Sequence, residues 1–163
     1  MYDRGGYMKK ILLSLALLLV LTGCEKVVQK GDYKEGTYYG YVNEESYGNV
    51  LTTSATVYVD ENGNIKSVFI DSTYVKDGKI TTKKALGNDY GMKETSANIG
   101  VIPGGAEWYE QVGSLEKKIV DEQGINWVKW SEDDKTKLDS VSGVTISANT
   151  MIEAVDNALK QAK

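Results

Sequence analysis

Two runs of alternating apolar and polar residues, joined by an Asn-Gly pair, restrict the fold of this chain more than any other sequence feature. The first run, Thr53 to Val59, places Ala55 and Val57 on one face, and a period of two residues is typical of a half-buried strand. The second run extends from Ile65 to Asp71. Because Asn62-Gly63 readily adopts the positive φ angles of a tight turn, the two runs predict an antiparallel β-hairpin.

Weaker signals flank the hairpin. Gly36 to Val42 is rich in tyrosine and predicts a first strand, since aromatic residues favour pleated sheets. We predict a loop from Asn43 to Leu51 and a short further strand from Gly78 to Thr82. Between Lys83 and Gly105, several glycines and the chain's one proline predict an irregular segment.

The C-terminal half shows helical periodicity in two places. From Ala106 to Gly124, apolar residues recur on one face of a helix, and these are Trp108, Val112, Leu115 and Ile119. A second amphipathic pattern extends from Ser147 to Ala162. Strands followed by helices indicate an α+β fold, in which helices pack on a small antiparallel sheet.

The N-terminus has the features of a lipoprotein signal peptide. Basic residues precede the apolar run Ile11 to Leu21, which is too short to span a bilayer but suits a secretory signal. The following Leu-Thr-Gly-Cys resembles a bacterial lipobox, in which Cys24 receives lipid. We therefore predict a signal peptide at 1–23, a lipidated tether at 24–35 and one domain at 36–163, held on the outer face of a bacterial membrane. An ordinary signal peptide, or a buried core helix, is the alternative.

Composition excludes several kinds of chemistry. The 163 residues include one cysteine and no histidine, which excludes His-based nucleophile systems, His-ligated zinc and iron–sulfur sites. A calcium loop at Asp60, Asn62 and Asn64 is a weak alternative to a plain turn, because it lacks the glycine and final Glu of an EF-hand. The formal net charge is −4, with no basic cluster outside the N-terminus, so we expect no nucleic-acid binding.

The segment Asp139 to Ser147 carries the clearest chemical signal. Hydroxyl residues and Gly143 lie immediately before the last predicted helix. Such residues can cap the free N–H groups of a helix start, and they can also form an anion site there. From the residues alone, plain capping is the simpler interpretation.

This segment closely resembles the flavinylation motif of the FMN-binding domain family. The pattern of that family is Asp, two variable residues, Ser or Thr, Gly, Ala, then Thr or Ser. It is matched at Asp139, Ser142, Gly143 and Thr145, whereas Val144 replaces the usual Ala. The resemblance implies FMN as cofactor, joined by its phosphate to Thr145 by an FAD-dependent flavin transferase. Asp139 would then serve recognition of the motif or support of the transferase.

Other segments resemble the lipoprotein branch of this family, whose members transfer electrons outside the cell. Tyr90-Gly91-Met92-Lys93 and Glu107 to Gln111 are similar to such segments, and Glu94-Thr95 stands where other members have Glu-Thr-Pro-Gly. The flavin-contact candidates are Tyr90, Met92 and Trp108, since planar aromatic rings can stack on the flavin. Core packing is the alternative for most aromatic residues.

The leading hypothesis is therefore a membrane-anchored FMN protein that relays electrons from a membrane donor, rather than a stand-alone enzyme. A lipoprotein that binds FMN or another small ligand reversibly is the second hypothesis. The third is a surface antigen with a degenerate motif. Leu15 to Gly23 is also similar to short pheromone peptides released from some lipoprotein precursors, although an ordinary signal sequence looks the same.

Overall fold

The computed structural model describes residues 30–46, 48–131, 133, 136–139 and 141–163. The predicted signal peptide, the lipidation site Cys24 and the first part of the tether lie outside the described residues. Within the described part of the chain, no helix is long and apolar enough to cross a membrane.

Among the described residues, four strands form one antiparallel sheet in the order β1-β2-β3-β4. The predicted hairpin is confirmed, because Ala55 pairs with Ile70 and Val57 with Val68 in adjacent antiparallel strands. Alternate residues of this hairpin are buried, as the period of two requires. The strands are β1 Gly36–Ser46, β2 Asn49–Val59, β3 Ile65–Lys76 and β4 Lys79–Thr82.

The loop predicted from Asn43 to Leu51 is wrong. Both strands continue into this segment, and Glu44 pairs with Leu51 in the antiparallel register. The polar residues that suggested a loop lie at the exposed end of β1. A strand with a paired backbone can carry polar side chains on its exposed face. The polar composition of this segment was therefore not evidence for a loop.

Two helices pack on one face of the sheet, which confirms the α+β fold with a C-terminal helix after the motif. One helix lies against β3, and the C-terminal helix lies against β1 and β2. Buried side chains from both helices and from the hairpin form the core. In the described part of the chain, the helices are α1 Lys83–Leu86, α2 Lys93–Ile99, α3 Trp108–Asp121 and α4 Asn149–Leu159, and α4 continues as a 3-10 turn at Lys160–Ala162.

The segment from Lys83 to Gly105 is not irregular, contrary to the prediction. It contains α1, the 3-10 turn Gly87–Tyr90 and α2. The glycines end these short elements, since Gly91 and Gly100 have φ angles of +77° and +76°. Glycine adopts such angles without the steric cost that other residues incur.

The last residues of the predicted tether form hydrogen bonds to the domain. The Gly31 N–H donates to the Asn62 carbonyl at 2.8 Å, and the Lys34 N–H donates to the Ala162 carbonyl at 2.7 Å. The chain therefore enters the domain along the hairpin turn. In that turn, the Asp60 carboxylate accepts from the backbone N–H groups of Asn62 and Asn64, and the described residues contain no cluster of three or more acidic or cysteine side chains that could hold a metal ion.

Candidate functional site

A pocket of about 350 Å³ lies where α2, the start of α3 and the motif loop meet the sheet. Its lining includes five of the ten cofactor residues that the sequence suggested. They come from three separate segments of the chain. The five are Tyr90, Met92, Thr95, Trp108 and Thr145.

The other five suggested residues do not line this pocket. Glu94 is exposed on α2, and Asp139 and Ser142 are exposed in the motif loop. Gly143 has a φ angle of +81°. It precedes Val144, whose side chain is 7% exposed and belongs to the hydrophobic core. The bulk that distinguishes Val144 from the usual Ala therefore lies in the core.

Thr145 is held by Gln111, a residue that the sequence analysis did not single out. The Gln111 Oε1 atom accepts a hydrogen bond from the Thr145 backbone N–H at 2.9 Å and one from Thr145 Oγ1 at 3.1 Å. Its Nε2 atom donates to the Ala106 carbonyl at 3.2 Å. Gln111 is fully buried in α3, so the amide fixes the motif loop to this helix.

These contacts determine the orientation of the Thr145 hydroxyl. The Thr145 N–H can only donate, so the amide atom facing it is Oε1 rather than Nε2. Because Oε1 carries no hydrogen, the Thr145 hydroxyl must be the donor to it. The lone pairs of Oγ1 therefore point away from Gln111 and are available to an electrophile that enters the pocket.

Aromatic rings form another part of the pocket wall. The Tyr90 ring contacts the Tyr74 ring edge-on, with centroids 5.1 Å apart, and the Trp108 ring at 6.5 Å. Burial, and secondarily Tyr74, raises the pKa of Tyr90 above its usual value. Trp108 is only 1% exposed, so it serves core packing as well as the pocket.

The first turn of α4 also faces the pocket. Asn149, Thr150 and Met151 are among its lining residues. The N-cap residue is Ala148, whose side chain makes no capping hydrogen bond. The N-cap position is therefore not one of the hydroxyl residues that the capping interpretation would place there. A helix start presents N–H groups and a partial positive charge, both of which favour an anion.

The buried carboxylate of Glu107 fixes the part of the pocket wall formed by Met92 and the start of α2. The Glu107 side chain accepts from the backbone N–H groups of Met92 at 2.9 Å and Lys93 at 3.2 Å, which caps the start of α2. It also forms a capping box with Glu110 at the start of α3. Glu107 thereby fixes Met92 at the pocket.

The comparisons with known proteins give one match. No family model matches the chain, and no curated protein matches it. The solution NMR structure of a protein from Clostridium thermocellum is 31% identical to it, with a TM-score of 0.51. That match covers 78% of this chain and 91% of the other.

Proposed function

We propose that this chain, which belongs to the same family as the Clostridium thermocellum protein, is a lipid-anchored flavoprotein that holds FMN on Thr145 and relays electrons outside the cytoplasm. The observation that carries the proposal is the position of Thr145. Its hydroxyl shares one pocket with Tyr90, Met92, Trp108 and the first turn of α4.

The groups around the pocket fit the parts of FMN. Its phosphate is an anion, and the N–H groups at the start of α4 suit an anion. Its ring is flat and aromatic, and the half-buried ring of Tyr90 suits such a surface, with the buried Trp108 beside it. A volume of about 350 Å³ lies within the range of cofactor pockets. When bound, FMN supplies one- and two-electron transfer.

The covalent attachment follows from the resemblance of the motif. In that reaction, the Thr145 Oγ1 forms a bond to the flavin-side phosphorus of FAD. The bond between this phosphorus and the bridging oxygen of the pyrophosphate breaks, and AMP leaves. The hydroxyl proton passes to the transferase. A covalent bond suits a protein outside the cytoplasm, where a lost cofactor is not easily replaced, and lipid at Cys24 would keep it near a membrane electron donor.

Reversible binding of FMN is the second candidate. The hydrogen bond from Thr145 Oγ1 to Gln111 favours it, because esterification removes the hydroxyl hydrogen. The hydroxyl would remain free in a reversible complex, and the same pocket would hold the ligand. Covalent flavin would then be absent, although the folded protein would still bind FMN.

One experiment distinguishes these candidates. The full chain is expressed with and without a flavin transferase, and flavin fluorescence is examined on a denaturing gel. Fluorescence that depends on the transferase supports the covalent form. A yellow native protein that loses its colour on denaturation supports reversible binding. If the protein holds no flavin in either form, the proposed function is wrong.

Replacement of Gln111 by leucine is expected to impair both the fold and flavin attachment. The substitution leaves the Thr145 N–H without its acceptor and frees the hydroxyl to rotate. The loss of hydrogen bonds to a buried partner lowers the free energy of unfolding by about 1–3 kcal/mol. Denaturant unfolding measures this loss, and gel fluorescence at fixed transferase exposure measures the lower yield of flavin.

Gln161→Leu is the matched control for this prediction. Gln161 donates to the Tyr39 carbonyl at 2.7 Å at the edge of β1, and it does not line the pocket. This variant is expected to attach flavin as the unmodified chain does. Equal flavin yields from Gln111→Leu and Gln161→Leu would show that Gln111 does not position Thr145.

A further inference from the structure

Lys83 brings a cation to the aromatic wall of the pocket. It is the first residue of α1 and lines the pocket. Its Nζ atom lies 5.5 Å from the centroid of the Tyr90 ring and 5.3 Å from that of Trp108. These distances are within the range of cation–π contacts.

Within the described part of the chain, the Lys83 Nζ has no hydrogen bond and no ion pair. Its neighbour Lys84 differs, because it pairs with Glu116 at 2.5 Å and lies over the Phe69 ring. Lys84 therefore has a structural partner. The Lys83 ammonium group contacts aromatic rings and forms no close ion pair within the described residues, although Glu44 lines the same pocket, so it can pair with an anion that enters there.

The surroundings of Lys83 act on its charged form in two opposite directions. Burial lowers the pKa of Lys83 below its usual value, because desolvation disfavours the ammonium form. The carboxylates of Glu44 and Asp71 oppose this change and favour the charged form. A charge in a partly desolvated place interacts more strongly with a neighbouring charge than it would in bulk water.

The same rings define where a flat ligand would lie. An aromatic ring that packs beside the Lys83 side of Tyr90 would lie close to the Lys83 Nζ, because that atom is 5.5 Å from the Tyr90 centroid. The Thr145 tether is a separate part of the same pocket. Lys83 is therefore placed to interact with the ring of a bound flavin.

We propose that Lys83 sets the reduction potential of the bound flavin by pairing its ammonium group with the negative charge that the ring gains on reduction. This inference rests on the proposed function. A two-electron donor such as a quinol gives the ring two electrons and one proton, and the second proton of the donor goes to water. The ring is then left with one net negative charge, and charge near the flavin is a recognised means of tuning its electronics.

The test is a reduction titration of the flavin-loaded protein against reference dyes. Lys83→Met is expected to make reduction about tenfold less favourable, a shift of about 30 mV to more negative potential for a two-electron couple. Lys83→Arg retains the charge, so the reduction potential of its flavin is expected to stay near that of the unmodified chain. Lys66→Met is the matched control, since Lys66 is exposed and does not line the pocket.

Flavin content and circular dichroism are measured on each variant before titration. If Lys83→Met does not fold, Lys83→Gln removes the same charge while keeping a polar end, and is expected to give the same shift. If the unmodified chain holds flavin and both charge-removing variants have the potential of Lys66→Met, the role of Lys83 is wrong and the proposed function stands. If the unmodified chain holds no flavin, the proposed function is wrong and the role of Lys83 falls with it.

Discussion

Thr145→Ala is expected to abolish covalent flavin completely. Alanine has no oxygen that can form a phosphoester. The backbone N–H of residue 145 retains its hydrogen bond to Gln111, since that contact does not involve the side chain. Only the hydrogen bond from Oγ1 is lost, so the free energy of unfolding should fall by no more than about 1 kcal/mol. Gel fluorescence after exposure to the transferase measures the effect.

Two control variants separate the loss of the acceptor from a general defect. Thr145→Ser keeps the hydroxyl and matches the motif, so it is expected to accept flavin. Ser147→Ala removes a different hydroxyl of the pocket lining, one that contacts Thr136 at 3.1 Å, and it should be labelled normally. Covalent flavin on folded Thr145→Ala would show that another residue is the acceptor.

Among the variants considered, Gly40→Ala is expected to lower the free energy of unfolding most. An added Cβ at Gly40 would lie 2.1 Å from the Ala154 carbonyl oxygen and 2.5 Å from the Ala158 nitrogen. Both atoms belong to the backbone of α4, which must shift away from β1 to make room. Overpacking of this kind costs about 3 kcal/mol or more when the backbone itself must move. Denaturant unfolding of the two proteins measures the difference.

Gly113→Ala is the matched control for this prediction. Gly113 lies within α3, and a Cβ there would meet nothing within 4 Å. Because alanine is the better helix former, this variant should be more stable by about 0.5–1 kcal/mol. If Gly40→Ala proves as stable as the unmodified chain, α4 does not pack against β1 as closely as the structure has it.

The sheet and the two long helices could be predicted because their signals are local. The Asn62-Gly63 turn and the alternation of Thr53 to Val59 lie within a few residues of each other. The structure of 83–105 could not be predicted in this way. Its helix α2 begins where Glu107, fourteen residues after Lys93, caps the backbone. A cap supplied by a later segment leaves no local pattern before the helix.

The candidate site shows the same difference between local and distant information. The motif and the resemblance singled out Thr145 and Tyr90, and both line the pocket. Gln111 and Lys83 were missed because their roles depend on segments far apart in the chain. One signal could have revealed Gln111. It lies three residues after Trp108, on the apolar face of α3, where a polar side chain requires a buried partner.

The intact mass of the mature protein, isolated from membranes of cells that contain a flavin transferase, tests the central claim most directly. The proposal predicts a chain that begins at Cys24, carries lipid and is heavier by one FMN less the water lost in forming the phosphoester. The Thr145→Ala variant should carry the lipid but not the flavin. An unmodified chain that carries lipid but no flavin, from cells whose transferase labels a known substrate, would contradict the covalent assignment of Thr145.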